Sequence, residues 1–236
     1  MTVRCRQLKW SIFWGRCEMG VSLIFDYDGT IHDTLRIYEP ALRRAFKWLE
    51  EEHGVRVPHT SRQRIASWLG MNRREMWDSF LPGLPVELRE EAGAMVGAHM
   101  ERAVRARRAA WYPGIRPVLE ELKDRGCRLA VLSNCQASYG RVHWETFGMD
   151  RWFEAFYDCE SFGYAPKTQI IRQIGREFPG PYVVIGDRRI DMECARASGS
   201  PFIGCRYGFG MAGELAGADV MAEKPEDILA GILKTL

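Results

Sequence analysis

Two aspartates one residue apart, Asp26 and Asp28, close the short apolar run Leu23-Ile24-Phe25 and precede a Gly29-Thr30 turn. An unpaired charge inside a sheet costs many kcal/mol, so both carboxylates belong at the carboxyl end of a buried strand. Strand side chains alternate, which would set both on a shared face. That pair suits divalent-metal and phosphate chemistry. Three further segments carry polar groups beside apolar or helical runs: Ser133-Asn134, Lys167, and Asp187 with Asp191. Carboxyl ends of strands in an open α/β sheet line a single crevice, so these distant segments are expected to converge there. Together they supply four carboxylates, a hydroxyl and an ammonium. Carboxylates in that number favour a hard cation such as Mg²⁺, which keeps several waters and shares its carboxylates with phosphate oxygens.

The elements that must position these groups follow from periodicity. Asp33 or Thr34 is expected to cap a helix running to about residue 52, with Leu42, Phe46 and Leu49 at helical spacing and Gly54 as its stop. From 60 to 111 only helical periodicity appears, and Gly70-Met71-Asn72-Arg73 breaks it into parts. A helix at 115–125 and a strand at 128–132 come next. After them the pattern predicts helices near 137–147, 168–178, 189–198 and 226–235. Strands are expected at 153–157, 182–185 and 201–205, with a weak one at 218–221. Alternating strands and helices with short links mean a doubly wound parallel sheet, here with an all-helical insert. The expected division is an extension at 1–18, a core at 19–35 and 113–236, and a helical domain at 36–112.

The motifs D-Y-D-G-T at 26–30, Ser133 after a strand, Lys167, and G-D-x-x-x-D at 186–191 occur in this order. In that order and at those places the chain resembles the haloacid dehalogenase-like hydrolases, from about residue 21 onward. The helical insert resembles the cap of phosphoglycolate phosphatase-like members. This resemblance implies a Rossmann-like core and a Mg²⁺-dependent phosphatase acting on a small phosphorylated metabolite. Asp26 would be the nucleophile that forms an aspartyl-phosphate, and Asp28 the acid and base. Asp26, the Asp28 carbonyl and Asp187 would bind Mg²⁺, with Asp191 beside them or bridging through water. Gly29, Thr30, Ser133 and Asn134 would surround the phosphoryl group, and Lys167 would neutralise charge on it and on the nucleophile. Two positions depart from the commonest pattern: Lys167 is not followed by proline, and Arg188 stands where Ser or Thr is frequent.

An aspartate at position 28 argues for phosphoryl transfer over dehalogenation, because expelling an alkoxide benefits from an acid. Schiff-base chemistry from the insert is disfavoured, since Lys47 is its lone lysine. Alternatives are phosphoryl transfer like that of β-phosphoglucomutase, or a non-catalytic metabolite-binding protein with the same fold. His32 reads as a hinge residue, exposed or hydrogen-bonded. Arg73 or Asn72 would face the substrate from the insert, with a surface charge an equal alternative for Arg73. Trp68, Trp77 and Trp111 read as the insert's core, and Arg102, Arg105, Arg107 and Arg108 as a solvated face.

Composition sets the outer limits. Hydrophobic residues make up 46% and charged residues 27% of the 236, as in ordinary globular proteins, and the net charge of +2 provides no field to gather nucleic acid. Seven scattered cysteines without a C-x-x-C pair fit reduced thiols in a cytoplasmic protein. No apolar run approaches the ~20 residues of a membrane span. A monomer or homodimer is expected. Met19 is expected as the true start, with the basic and aromatic 1–18 stretch preceding it.

Overall fold

The computed structural model describes residues 21–71 and 73–236, Arg73 by its backbone alone. The expectations for 1–18, Asn72 and the Arg73 side chain lie outside the described residues.

Strand β1 (Ser22–Phe25) is buried throughout. It is followed in the sheet's sequence order by β2 (Arg128–Ser133), β3 (Ala155–Asp158), β4 (Tyr182–Gly186), β5 (Phe202–Cys205) and β6 (Val220–Ala222). All pair in parallel, in spatial order β3-β2-β1-β4-β5-β6. Both faces are covered, which is why the strands read as continuous apolar runs. Leu23, Phe25, Val131 and Ile185 face one core, shared with α5 (Ile115–Asp124), α6 (Ala137–Phe147) and α9 (Asp227–Thr235). Ile24, Ala130, Leu132 and Val184 face the other, shared with α7 (Lys167–Ile174) and α8 (Arg189–Ala197). Each fully buried Leu, Ile or Val contributes about 1.5–3 kcal/mol.

Between β1 and β2 the described residues form only helices: α1 (Leu35–His53), α2 (Arg62–Ala66), α3 (Arg73–Phe80) and α4 (Val86–Arg105). Helix α1 packs along α4. Phe46 sits among Trp68, Trp77 and Phe80, with centroids 6.4, 6.3 and 4.9 Å away. The chain leaves and re-enters the sheet region through a two-stranded ribbon. Asp33 donates to the Ala110 carbonyl, Tyr112 donates to that of Ile31, and His32 faces Trp111.

Several expectations are corrected. Trp111 is not part of the helical insert's core; it stacks on Phe147 of α6 at 5.0 Å and donates to the Tyr27 hydroxyl. Thr34 occupies the N-cap position of α1 but caps nothing, because its hydroxyl is used by Asp28. The helix expected from 168 includes Lys167. Lys167 begins α7, because Pro166 occupies the N-cap, where its fixed φ suits helix entry. That helix ends at Ile174 rather than 178, and the chain turns back so that Phe178 donates to the Ile174 carbonyl. Strand β3 starts at 155 rather than 153, since Phe153 is tied to Met149 in a turn. The final strand spans 220–222 rather than 218–221.

Candidate active site

The register places the chemistry. Phe25 pairs with Val131 on one side and Ile185 on the other. Ser133 and Asp187 each lie two residues past those partners, so they flank the Asp26–Asp28 turn. Asp26 extends the ladder by donating its N–H to the Ile185 carbonyl at 2.8 Å. Lys167 reaches in from the first turn of α7, and Asp191 from the first turn of α8.

Lys167 is buried, and its Nζ donates to Asp26 Oδ1 at 2.5 Å and to Asp191 Oδ1 at 2.7 Å. Asp191 also accepts from the Arg188 N–H at 3.0 Å, so it caps its own helix while bracing the lysine. Asp187 is fully buried. It accepts at 2.6 Å from the Phe209 N–H and at 3.4 Å from the Thr30 hydroxyl. The segment after β5 therefore belongs to the site, and nothing in its sequence announced it. Gly29 is required where it stands. Its φ is 99°, and a Cβ there would come within 2.3 Å of Asp187 Oδ2.

Three carboxylates, those of Asp26, Asp187 and Asp191, lie close enough to offer oxygens within 4.8 Å of one another. A single ammonium among them leaves excess negative charge in a buried place. Burial pushes Asp26 up to about 7 even against the pull of Lys167. Burial, then Asp26 and Asp191, raise Asp187 well above the usual carboxylate range. Burial works against the Lys167 charge, but Asp191 and Asp26 outweigh it and raise the lysine's proton affinity. An arrangement so short of positive charge fits a hard divalent cation held by oxygens.

Asp28 stands apart from that cluster and is held differently. Its Oδ1 accepts from the Thr34 hydroxyl at 2.6 Å and the Tyr139 hydroxyl at 2.8 Å, with His32 Nδ1 at 3.2 Å. Burial alone would raise its pKa, but the hydrogen bonds and charge of His32, with Thr34, hold it below the ordinary value. His32 is thus a buried, hydrogen-bonded hinge residue. Behind it the Tyr27 hydroxyl pairs with His143 Nδ1 at 2.6 Å. Ser133 is buried at the end of β2, and the exposed Asn134 lines the space in front of Asp28. Thr30 is buried with its hydroxyl toward Asp187. The arginines at 102, 105, 107 and 108 are exposed.

Sequence reasoning missed Tyr139, the use of Thr34, and the Tyr27–His143 pair. Only Thr34 carried a signal, as a hydroxyl close to the aspartates in sequence.

A parallel α/β sheet with an acidic centre and a buried lysine at its carboxyl edge defines a Rossmann-like hydrolase architecture. Residues 23–205 match the family model for haloacid dehalogenase-like hydrolases, and the chain belongs to that family. It is 22% identical to a phosphoglycolate phosphatase from Pasteurella multocida (strain Pm70), over 78% of this chain and 85% of that one. Against a 5′-nucleotidase from Pseudomonas aeruginosa the identity is 26%, over 82% and 86% of the two chains. The fold is similar to the crystal structure of a predicted phosphoglycolate phosphatase from Haemophilus somnus. There the TM-score is 0.77 at 20% identity, covering 89% of this chain and 97% of that one.

Proposed function

We propose that the protein is a Mg²⁺-dependent phosphatase that hydrolyses a small phosphorylated metabolite through an aspartyl-phosphate on Asp26. The observation that carries this reading is the Asp26–Lys167 contact at 2.5 Å beside a separately held Asp28. Two neighbouring carboxylates in unlike environments are suited to unlike jobs. Relatives named for phosphoglycolate and nucleotide hydrolysis support the same class. Helices α1–α4, which begin at Leu35 and fill most of 36–112, read as a cap over a core made of 19–35 and 113–236.

Asp26 attacks phosphorus, and the bond to the ester oxygen breaks. Lys167 offsets charge on the nucleophile and the phosphoryl oxygens, a contribution that is large in a buried site. Asp28 donates a proton to the leaving oxygen. Phosphoryl charge brought beside it by the substrate raises its proton affinity for that step. In the second half Asp28 takes a proton from water, which attacks the aspartyl-phosphate and releases phosphate. Ser133 and the Asn134 amide would hold phosphoryl oxygens. Asp26, Asp187 and the Asp28 carbonyl would hold Mg²⁺, with Asp191 alongside. Bound there, the ion would supply charge neutralisation at the phosphoryl group.

The test is hydrolysis of para-nitrophenyl phosphate and a panel of phosphorylated metabolites with Mg²⁺, wild type against Asp26→Asn. The variant should lose at least about a thousandfold in kcat. Activity that survives the substitution would remove Asp26 as nucleophile, and a wild type silent on every ester would refute the phosphatase reading.

A further inference from the structure

A cavity of about 730 Å³ lies between α1, α3 and α4 and the carboxyl edge of the sheet. Asp28 and Asn134 stand on its sheet side, while Leu42, Leu69, Met76, Val96 and Met100 line the helical side. Its volume falls among sites that enclose drug-sized ligands, about 300–1,000 Å³. A two-carbon acid would leave most of it unfilled. Among the described lining residues Arg74 is the one cation, its side chain 90% exposed and directed to Asp78 at 3.7 Å. Glu75 and Glu101 add acidic side chains to the same lining. A leaving group with its own carboxylate finds no buried counter-charge among these residues, whereas an apolar one finds a matching wall.

Tyr164 gives the cavity mouth a specific shape. It lies three residues before Lys167, lines the cavity, and is 61% exposed. Its φ is 60°, a left-handed conformation that is uncommon for a bulky side chain and that collects at ligand sites. The hydroxyl donates to Glu160 at 3.0 Å, which fixes the ring. Met71, also exposed, lines the same cavity from the turn before α3. This conformation closes the turn after residues 160–162, where the Tyr164 N–H donates to the Cys159 carbonyl at 2.7 Å, and it leaves the apolar ring at the cavity mouth, open to a ligand that would cover it.

We propose that the substrate is a phosphate monoester of a bulky, largely apolar alcohol, and that Tyr164 is a specificity-determining residue packed against that alcohol. This rests on the phosphatase reading above. The test compares naphthylethyl phosphate with ethyl phosphate and phosphoglycolate, using the full chain and Mg²⁺. The first two release alcohols of similar acidity, so the difference between them reports packing rather than leaving-group chemistry. The naphthylethyl ester should show kcat/KM at least about tenfold above either small ester. Tyr164→Ala should lower the naphthylethyl-to-ethyl ratio of kcat/KM about tenfold, mainly through KM, and Tyr164→Phe should restore it. Equal or better turnover of the small esters overturns the substrate class and leaves the phosphatase reading standing. An equal loss on both esters in Tyr164→Ala makes the residue structural and overturns its assignment. Turnover of no ester, para-nitrophenyl phosphate included, overturns both readings together.

Discussion

Asp28 is the residue whose surroundings say most about its work. A carboxylate proposed both to give and to take a proton needs a fixed direction, and Thr34 and Tyr139 provide it by sharing Oδ1. Their removal should be felt in the chemical step more than in binding. Thr34→Val and Tyr139→Phe are each expected to lower kcat by about tenfold, the equivalent of one lost hydrogen bond of ~1.4 kcal/mol, with little change in KM. Steady-state kinetics on the preferred ester check this, and a KM-only effect would count against it. Charged members of the site were legible in the sequence, because Asp26, Asp187 and Lys167 have no structural reason to stand beside apolar runs. Tyr139 was not. A tyrosine on a helix has many ordinary uses, and its partner lies 111 residues away. Arg188 was noticed only as an oddity. Its guanidinium pairs with Glu214 at 2.9 Å and packs under the Gly70 turn, a contact that only the folded chain reveals.

At the level of elements, the strands and helices were readable wherever burial is two-sided or the apolar stripe is regular. The ends were set by capping and by tertiary contacts, as with Pro166 ahead of Lys167, and periodicity does not report those. Helix α6 carries a further consequence. Burial, then the neighbouring His32, pull His143 down to about 2, so it stays neutral in the folded protein. In the unfolded chain it titrates near 6.5. Below that pH the unfolded state binds a proton that the folded state refuses, so stability falls as pH falls. Between pH 7 and pH 5 the wild type should lose about 2 kcal/mol more than His143→Gln. Urea denaturation at the two pH values measures the difference, and parallel losses in both proteins would contradict it.

For the molecule as a whole, the acidic centre is expected to tie stability to cation binding. Three buried carboxylates relieved by an added divalent charge should make the folded state the one that binds. Mg²⁺ at about a hundred times its Kd contributes about 2.7 kcal/mol, a rise of about 5–10 °C in Tm for a chain of this size. Asp187→Asn should abolish most of that rise, read by differential scanning calorimetry with and without Mg²⁺. An unchanged increment in the variant would place the cation elsewhere. Among the described residues no helix is long and apolar enough to cross a membrane. The ribbon at 31–33 and 110–112 that joins the helices to the sheet has an effect of its own. His32 sits within it, fully buried, with its Nδ1 3.2 Å from Asp28 Oδ1. The strip that ties the helices to the sheet therefore also seats the carboxylate proposed as acid and base, so a substitution at His32 is expected to be felt at the join and at Asp28 together.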